Sequence, residues 1–377
     1  MQYRSFPKIP GLPISTIGFG CMRLPTIGRE LAAVDEEAAT RLLHAAIDAG
    51  VNYIDTAYVY HGGNSERVVG RALAGQRRQG VQLATKLPMW LVKAERDWEA
   101  LLDEQLGRLC TNRIDFYLLH GLDAGRWETI LRLGGLRAME RAKADGRIGH
   151  IGFSFHDSLD VFKRIVDGYD WEFCQIQLNF LDQEYQAGLE GLRHASARQV
   201  GVVVMEPLRG GALAKAPAEV ADIWARSPNG WSPAEWALRW VLAQEGVVTA
   251  LSGMNRAAHL AENIRIAETA SPLSAEDLSL VDEVRRFYQA RMVVPCTTCG
   301  YCQPCPAGVD IPNVLSLYNT AAMFNSTVQP AMVYRLWVLA AQAGADQCTE
   351  CHDCEPRCPQ HIEIAERLAE AHRCLTS

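Results

Sequence analysis

Eight short apolar segments recur at fairly even intervals through the first 290 residues of the chain. They comprise residues 16–20, 51–55, 81–86, 114–120, 148–153, 173–178, 200–205 and 247–252. Longer stretches with helical periodicity separate them, among them residues 36–49, 98–109, 133–145 and 233–245. Nearly continuous apolar strands that alternate with amphipathic helices favour a parallel sheet covered by helices, and eight such units fit a (β/α)₈ barrel. The alternative, a doubly wound open sheet, normally has a GxGxxG turn after its first strand, which this sequence lacks.

The composition excludes several other classes of protein. A chain of 377 residues is long enough for one large and one small domain. Hydrophobic residues make up 48% and charged residues 21%, as in soluble globular proteins. The net charge of −7 disfavours a dedicated nucleic-acid binder. No apolar run reaches the roughly 20 residues of a membrane helix, and the N-terminus lacks the apolar core of a signal peptide, so we expect a cytoplasmic protein.

The cysteines divide the sequence into two parts. Cys21, Cys110 and Cys174 lie in the first 290 residues, and the other nine of the twelve follow. We therefore predict a barrel domain at 1–290, ending in a helix over 274–289, and a small helical domain at 291–377. Because thiols stay reduced in the cytoplasm, clustered cysteines there indicate metal ligation rather than disulfides.

The clustered cysteines form two runs of four, each ending in Cys-Pro. The first run comprises Cys296, Cys299, Cys302 and Cys305, and the second comprises Cys348, Cys351, Cys354 and Cys358. The second has the spacing C-x₂-C-x₂-C-x₃-C-P, in which three thiolates bind one [4Fe–4S] cluster and the fourth binds the other. The first is one residue shorter before Cys305. The pattern thus predicts two [4Fe–4S] clusters, with Cys358 completing the first set and Cys305 the second. Zinc is the alternative, although its sites usually combine two separated pairs.

Polar side chains follow the predicted strands at their C-terminal ends, where (β/α)₈ barrels have their active sites. Asp55 ends the second strand and Tyr60 follows it, while Lys86 ends the third strand and His120 the fourth. A lysine cation lowers the pKa of a neighbouring tyrosine, and a paired carboxylate keeps that lysine charged. A histidine can donate to a carbonyl oxygen. Such a group can protonate a carbonyl while hydride is delivered to it.

These residues resemble those of the aldo-keto reductases. The resemblance extends over about residues 3–288, and its motifs lie at residues 52–60 (NYIDTAYVY), 64–70, 84–86, 117–120, 149–154, 231–241 and 251–263. The family implies a (β/α)₈ barrel with an Asp-Tyr-Lys-His tetrad, matched here by Asp55, Tyr60, Lys86 and His120. It further implies reduction of a small-molecule carbonyl, or oxidation of an alcohol.

The same resemblance implies a nicotinamide dinucleotide at the barrel mouth. The positions that match the family's cofactor contacts are Ser154, Gln175, Leu208, Gly210, Glu262 and Asn263. Met205 replaces the tyrosine that usually stacks on the nicotinamide, and Phe155 replaces an asparagine. Gly253, Met254 and His259 replace the basic residues that usually bind the 2′-phosphate. The sequence therefore leaves NADP(H) and NAD(H) both open.

The region after residue 290 resembles the helical dicluster ferredoxin modules that serve as electron-transfer partners in larger oxidoreductases. Residues 311–322 and 331–344, between the runs, have helical periodicity. Nicotinamide transfers two electrons as hydride, whereas each cluster accepts one, and no flavin motif is present. We therefore expect clusters for electron transfer with a partner protein, for sensing or for structure. One alternative is that the clusters feed single electrons to a substrate at the barrel mouth. The other is a redox-sensing or electron-transfer module whose barrel binds nicotinamide or a partner without carbonyl turnover.

Overall fold

A computed structural model describes residues 1–28, 30, 32–296, 298 and 300–377. The chain divides into two compact units. The first comprises Met1–Arg209 and Trp231–Leu273, and the second comprises Gly210–Gly230 and Ser274–Ser377. The helix expected over 274–289 therefore groups with the second unit, whereas the sequence placed it in the first domain. The domain boundary at residue 290 stays a prediction.

The first unit is built around a closed barrel of eight parallel strands. A short antiparallel hairpin precedes it, with strands β1 (Tyr3–Arg4) and β2 (Ile14–Ser15). The barrel strands are β3 (Ile17–Gly20), β4 (Tyr53–Asp55), β5 (Gln82–Leu87), β6 (Ile114–Leu122), β7 (Ile148–Phe155), β8 (Phe173–Gln177), β9 (Gly201–Met205) and β10 (Val247–Ser252). They neighbour one another in chain order, and β10 closes the barrel against β3. The predicted (β/α)₈ barrel is confirmed, and each predicted strand overlaps an observed one.

Helices cover the outside of this barrel. They are α1 (Glu36–Asp48), α2 (Asn64–Ala72), α3 (Asp97–Arg108), α4 (Ala124–Arg132), α5 (Gly135–Ala144), α6 (Leu159–Asp167), α7 (Gly188–Ala197), α9 (Pro233–Leu242) and α10 (Ala257–Thr269). The intervening helix α8 (Ala218–Trp224) belongs to the second unit. In α6 the buried residues Phe162, Ile165 and Val166 recur at helical spacing and form one apolar face. All six residues of β10 are buried, as expected for a strand covered on both faces.

Aromatic residues fill the N-terminal end of the barrel. Phe116 and Phe173 lie near the starts of β6 and β8, with ring centroids 5.1 Å apart. Tyr53 at the start of β4 lies 5.2 Å from Phe116, and Phe6 from the hairpin loop packs on both phenylalanines. This apolar plug leaves the C-terminal ends of the strands for polar side chains.

Gly70 allows α2 to pack closely against the end of α3. A Cβ atom at this position would lie 2.5 Å from the backbone carbonyl carbon of Leu109. That distance is far inside van der Waals contact, so only glycine fits.

The second unit is helical in its described part. Its helices are α8, α11 (Ala275–Gln289), α12 (Ile311–Phe324), α13 (Val328–Val333), which continues as a π-helix over Tyr334–Leu339, and α14 (Ile364–Thr376). Ser274 and Asp277 form a capping box at the start of α11. The helix predicted over 331–344 ends earlier, at Leu339, and its last part is a π-helix. No helix in the described residues is long and apolar enough to cross a membrane.

Candidate active site and cysteine region

Four polar side chains meet at the C-terminal end of the barrel. Asp55 is the last residue of β4, and Tyr60 begins the short 3₁₀ turn Tyr60–Gly63 after it. Lys86 lies near the end of β5, and His120 lies in β6. Because β4, β5 and β6 are adjacent parallel strands, their ends bring these residues together.

Lys86 is the centre of this group and is 0% exposed. Its Nζ atom donates to Oδ1 and Oδ2 of Asp55 at 2.8 and 2.7 Å and to the Thr56 carbonyl oxygen at 2.8 Å. The fourth contact, to the Tyr60 hydroxyl, is longer at 3.4 Å. Burial disfavours the ammonium form, but Asp55 and Tyr60 together outweigh it and raise the pKa of Lys86 above its ordinary value. Lys86 is therefore a fixed cation beneath Tyr60.

The Tyr60 hydroxyl is held in its neutral form. Burial raises the pKa of Tyr60 above its ordinary value, and the Lys86 cation acts in the opposite direction without cancelling it. Lys86 thus lowers the pKa of Tyr60, as expected from the sequence, but burial raises that pKa by more. Tyr60 consequently retains its proton at physiological pH and can donate it.

His120 faces Tyr60 across the site. The two ring centroids lie 6.4 Å apart in an edge-on arrangement, and the Trp90 ring lies 5.2 Å from His120 on another side. Burial and then the Lys86 cation lower the pKa of His120 well below its ordinary value, so the imidazole is neutral. Its buried Nδ1 atom has no hydrogen-bond partner among the described residues. The ring can therefore offer one N–H to a bound molecule.

Two of the expected nicotinamide contacts line the same barrel mouth. Gln175 in β8 donates from Nε2 to the Met205 sulfur at 3.5 Å, while its buried Oε1 atom has no partner in the described part of the chain. The Ser154 hydroxyl oxygen accepts a hydrogen bond from the Gly121 amide at 2.7 Å. Phe155, at the position of the family's asparagine, is fully buried. Gln175 thus presents an unused acceptor.

The other residues expected to contact the nicotinamide dinucleotide are in part engaged with other residues of the protein. The Ser232 hydroxyl donates to Glu262 at 2.5 Å, and the Asn263 amide donates to the Ser252 hydroxyl at 2.7 Å. Asn263 is thus buried and engaged within the protein. Leu208 is half-buried, and Gly210 belongs to the second unit and has a φ of 66°.

Arg23 is a cation at this rim that the sequence analysis missed. It ends the short 3₁₀ turn after β3, and a Cβ atom at Gly253 would lie 3.1 Å from its Cβ and Cδ atoms. Gly253 occupies a position where the family usually has a 2′-phosphate contact. Closure of the barrel between β3 and β10 brings the two residues together, although they are far apart in sequence. The adjacency of the first and last strands was the signal that could have identified Arg23.

Cysteines from both runs approach each other in the second unit. A cavity is lined by Cys296 and Cys302 of the first run and Cys358 of the second. Burial raises the pKa of the Cys354 thiol to about 11, and the neighbouring thiols of Cys305 and Cys348 contribute in the same direction. The predicted ligand Cys299 lies outside the described residues, and Cys351 is exposed. The last cysteine of each run, Cys305 or Cys358, therefore lies next to cysteines of the other run.

Gln303 organises the shortened end of the first run. Its Oε1 atom accepts a hydrogen bond from the Cys305 amide at 3.0 Å, and its Nε2 atom donates to the Val309 carbonyl oxygen at 2.9 Å. These bonds fix the backbone of Cys305 within a spacing one residue shorter than usual. Among the described residues, no group of three or more His, Cys, Asp and Glu side chains is arranged to hold a single metal ion.

Comparison with known proteins gives two family matches and several relatives. Methylglyoxal reductase YeaE of Escherichia coli (strain K12) is 29% identical over 282 residues, which are 70% of this chain and 92% of that protein. The holo form of aldo-keto reductase AKR11C1 from Bacillus halodurans is 28% identical, with a TM-score of 0.63 over 75% of this chain and 96% of its own. An aldo-keto reductase from Klebsiella pneumoniae in complex with NADPH is 25% identical, with a TM-score of 0.61 over 75% and 95% of the two chains.

The family matches cover both parts of the chain. Residues 16–286 match the Aldo/keto reductase family, and residues 295–363 match a 4Fe-4S dicluster domain. The first match spans well over half of the sequence and agrees with the closed parallel barrel. The chain therefore belongs to the aldo/keto reductase family and has a 4Fe-4S dicluster domain after its barrel.

Proposed function

We propose that the barrel reduces a small carbonyl compound, or oxidises the corresponding alcohol, with a nicotinamide cofactor. The observation that supports this most strongly is the buried Lys86–Asp55 pair in contact with the protonated Tyr60 hydroxyl. Burying an ion pair costs free energy, so its position directly beneath a tyrosine favours a chemical role. The YeaE relative is named a methylglyoxal reductase, and methylglyoxal reduction is of the same class.

Each member of the group has a distinct task in this proposal. The cofactor, when bound, supplies the hydride. Tyr60 donates its hydroxyl proton to the carbonyl oxygen, and the resulting phenolate is stabilised by the Lys86 cation. Asp55 keeps Lys86 charged and in place. The neutral His120 ring donates an N–H to the same carbonyl oxygen and so orients the substrate.

The residues at the barrel mouth fit a nicotinamide. The unused Oε1 atom of Gln175 can accept a hydrogen bond from its carboxamide group, and the hydroxyl of Ser154 can donate one. Met205 can pack its polarisable sulfur on the ring face. Arg23 supplies a cation beside Gly253, which favours NADPH over NADH. The NADPH complex of the Klebsiella pneumoniae relative supports the same preference.

The proposed turnover is tested by Tyr60→Phe, which removes the donated proton and little else. We expect kcat for carbonyl reduction to fall by about 10²–10⁴-fold, the range of a general acid. The matched control is Tyr58→Phe, since the Tyr58 hydroxyl contacts Glu104 instead of Lys86. Oxidation of NADPH and NADH would be followed anaerobically with a panel of aldehydes and ketones that includes methylglyoxal. Wild-type turnover in Tyr60→Phe would contradict the proposal.

We further propose that Cys296, Cys299, Cys302 and Cys358 bind one [4Fe–4S] cluster and that Cys348, Cys351, Cys354 and Cys305 bind the second. The chemistry of the donor set fits, because thiolates are the usual ligands of such clusters. The shared cavity of Cys296, Cys302 and Cys358 supports the first set. The proximity of Cys354 to Cys305 and Cys348 supports the second.

Two single substitutions test this grouping. Cys358→Ser should disturb the cluster of the first run, and Cys305→Ser that of the second, so each protein should lose about four of eight irons. Iron and sulfide analysis with EPR of the reduced proteins would separate the two losses. If Cys358→Ser produced the same EPR change as Cys351→Ser, the two residues would share a cluster and the grouping would be wrong.

The clusters have an electron-transfer, sensing or structural role in this proposal. Adding NADPH to the anaerobic protein distinguishes these roles. Reduction of the clusters by NADPH would support electron exchange with the barrel, whereas unreduced clusters with normal carbonyl turnover would support a structural or sensing role, or a partner protein as electron donor.

A further inference from the structure

A buried polar network lies behind the strand that contains Lys86. Glu66 in α2 is 0% exposed, and its Oε2 atom accepts a long, 3.4 Å ion-pair contact from the Arg108 guanidinium. Its Oε1 atom accepts hydrogen bonds from the Thr85 hydroxyl and from Gln105 Nε2, both at 2.6 Å. Burial raises the pKa of Glu66, although these hydrogen bonds oppose the shift. A buried carboxylate between helices and a barrel wall is costly unless fully hydrogen-bonded, so its presence there needs a reason.

The network leads directly to the backbone of Lys86. Gln105 Nε2 also donates to the Lys86 carbonyl oxygen at 3.1 Å. The Tyr117 hydroxyl in β6 donates to Gln105 Oε1 at 2.7 Å, which fixes the orientation of the amide so that its NH₂ group faces Glu66 and Lys86. Gln105 and Tyr117 are as deeply buried as Glu66. Gln105 of α3 therefore binds one peptide group of β5, and Glu66 of α2 and Tyr117 of β6 orient Gln105.

That peptide group belongs to the residue whose Nζ atom contacts the Tyr60 hydroxyl. Successive side chains of a strand point to opposite faces, so Thr85 faces the network while Lys86 faces the barrel interior. The contact from Nζ to the Tyr60 hydroxyl, at 3.4 Å, is the longest of the four that Lys86 makes. A displacement of the Lys86 backbone by a few tenths of an ångström would break it first, while Asp55 would keep its ion pair.

We infer that Glu66, Gln105 and Tyr117 are positioning residues that hold the Lys86 cation against the Tyr60 hydroxyl from outside the barrel wall. They touch neither substrate nor cofactor. The expected effect of the network on turnover rests on the proposed function. Its expected effect on the pKa of Tyr60 does not, because that effect is electrostatic. If the Lys86 cation moves away, the pKa of Tyr60 rises, since the cation is what lowers it.

The test is Tyr117→Phe, which deletes only the hydroxyl that orients Gln105. We expect kcat to fall by about tenfold with KM within about twofold, since small misplacement of catalytic groups has effects of this size. The matched control is Tyr53→Phe. Tyr53 is equally buried in the neighbouring strand β4, and its hydroxyl has no hydrogen-bond partner among the described residues. Its removal should leave kcat and KM unchanged.

A second measurement does not use turnover. Tyr60 would be replaced by 3-fluorotyrosine, a more acidic phenol, and its ionisation followed by ¹⁹F NMR in the otherwise wild-type, Tyr117→Phe and Tyr53→Phe proteins. We expect a higher pKa in Tyr117→Phe and the unshifted value in Tyr53→Phe. Gln105→Met, which removes the donor to Lys86, should raise this pKa further. Iron content and melting temperature would verify that each variant is folded.

The outcomes separate this inference from the proposed function. If Tyr117→Phe and Gln105→Met are folded but leave the pKa of Tyr60 unchanged, the network is merely structural and the inference is wrong. If the pKa rises while no carbonyl is turned over by any of the proteins, the inference stands and the proposed function fails.

Discussion

Tyr60 illustrates how burial and charge compete at a single residue. The Lys86 ammonium lowers the pKa of the hydroxyl, but burial raises it by more. The result suits reduction, in which the tyrosine must begin with its proton. In oxidation the phenolate has to form first, and the same burial opposes that step. In the proposed reduction, Tyr60 therefore begins as the proton donor.

His120 gives a prediction about pH. Because burial and nearby cations hold its pKa well below the ordinary value, the ring stays neutral from alkaline pH down past neutrality. Tyr60, whose pKa is raised, also stays protonated over this range. We therefore expect kcat for carbonyl reduction to be nearly flat between about pH 6 and 9, since neither group titrates there. Steady-state rates at saturating substrate would check this. An acidic limb near pH 6.5 that disappears in His120→Gln would contradict it.

At the scale of elements, the helices around the barrel differ in whether their buried faces are apolar or polar. The face of α6 is wholly apolar, whereas α2 and α3 enclose the Glu66–Gln105 network and approach each other closely at Gly70. The helices beside the strand that contains Lys86 therefore combine a close approach with buried polar contacts. Buried polar groups where apolar packing is the norm are typical of functional sites.

Gly70→Ala tests how tightly these elements pack. Its Cβ atom would lie 2.5 Å from the backbone of Leu109, so one helix must move, and we expect a loss of about 1–3 kcal/mol of stability. Gly107→Ala in α3 is the control, since its Cβ would meet nothing within 4 Å. That change should be neutral or stabilising by up to about 1 kcal/mol. Thermal unfolding followed by circular dichroism would compare them, and equal midpoints would refute the close approach.

At the scale of the whole molecule, the two compact units are interleaved along the chain. The segment Gly210–Gly230 leaves the barrel sequence and joins the second unit with α11. Within that unit Arg226 pairs with Glu283, and the Asn229 amide donates to Asp277 at 3.0 Å. The family match ends at residue 286, after most of α11. These contacts tie α8 to α11 independently of the cysteine region.

Two truncations test this arrangement. A chain ending at residue 290 keeps α11 and its contacts with α8, whereas a chain ending at residue 273 removes them and exposes the apolar face of α8. We expect the longer protein to be soluble with the higher melting temperature and the shorter one to aggregate. Differential scanning calorimetry and size-exclusion chromatography would measure both. Equal stability would mean that α11 contributes nothing to the remaining fold.

Much of the fold could be predicted from the sequence, because each strand is a short apolar run and the runs alternate with helical periods. The tetrad was identifiable because its members follow successive strands, and the crossed cysteine sets were expected from their spacing. Their roles stay predictions. The network of Glu66, Gln105 and Tyr117 could not be predicted, since it depends on which buried side chains meet between helix and strand. Arg23 was missed for a similar reason, and the sign of the Tyr60 shift required its burial to be known.

The interleaving of the two cysteine runs has a consequence for biosynthesis. Cys358 lines the cavity of Cys296 and Cys302, and Cys305 lies near Cys354, so neither proposed ligand set is complete until the second run has been translated. Ribosomes add about 5–20 residues per second, which leaves the thiols of the first run unmatched for seconds. During that interval they are open to oxidants and to other metals. With the proposed ligand sets, cluster insertion therefore follows translation of nearly the whole chain.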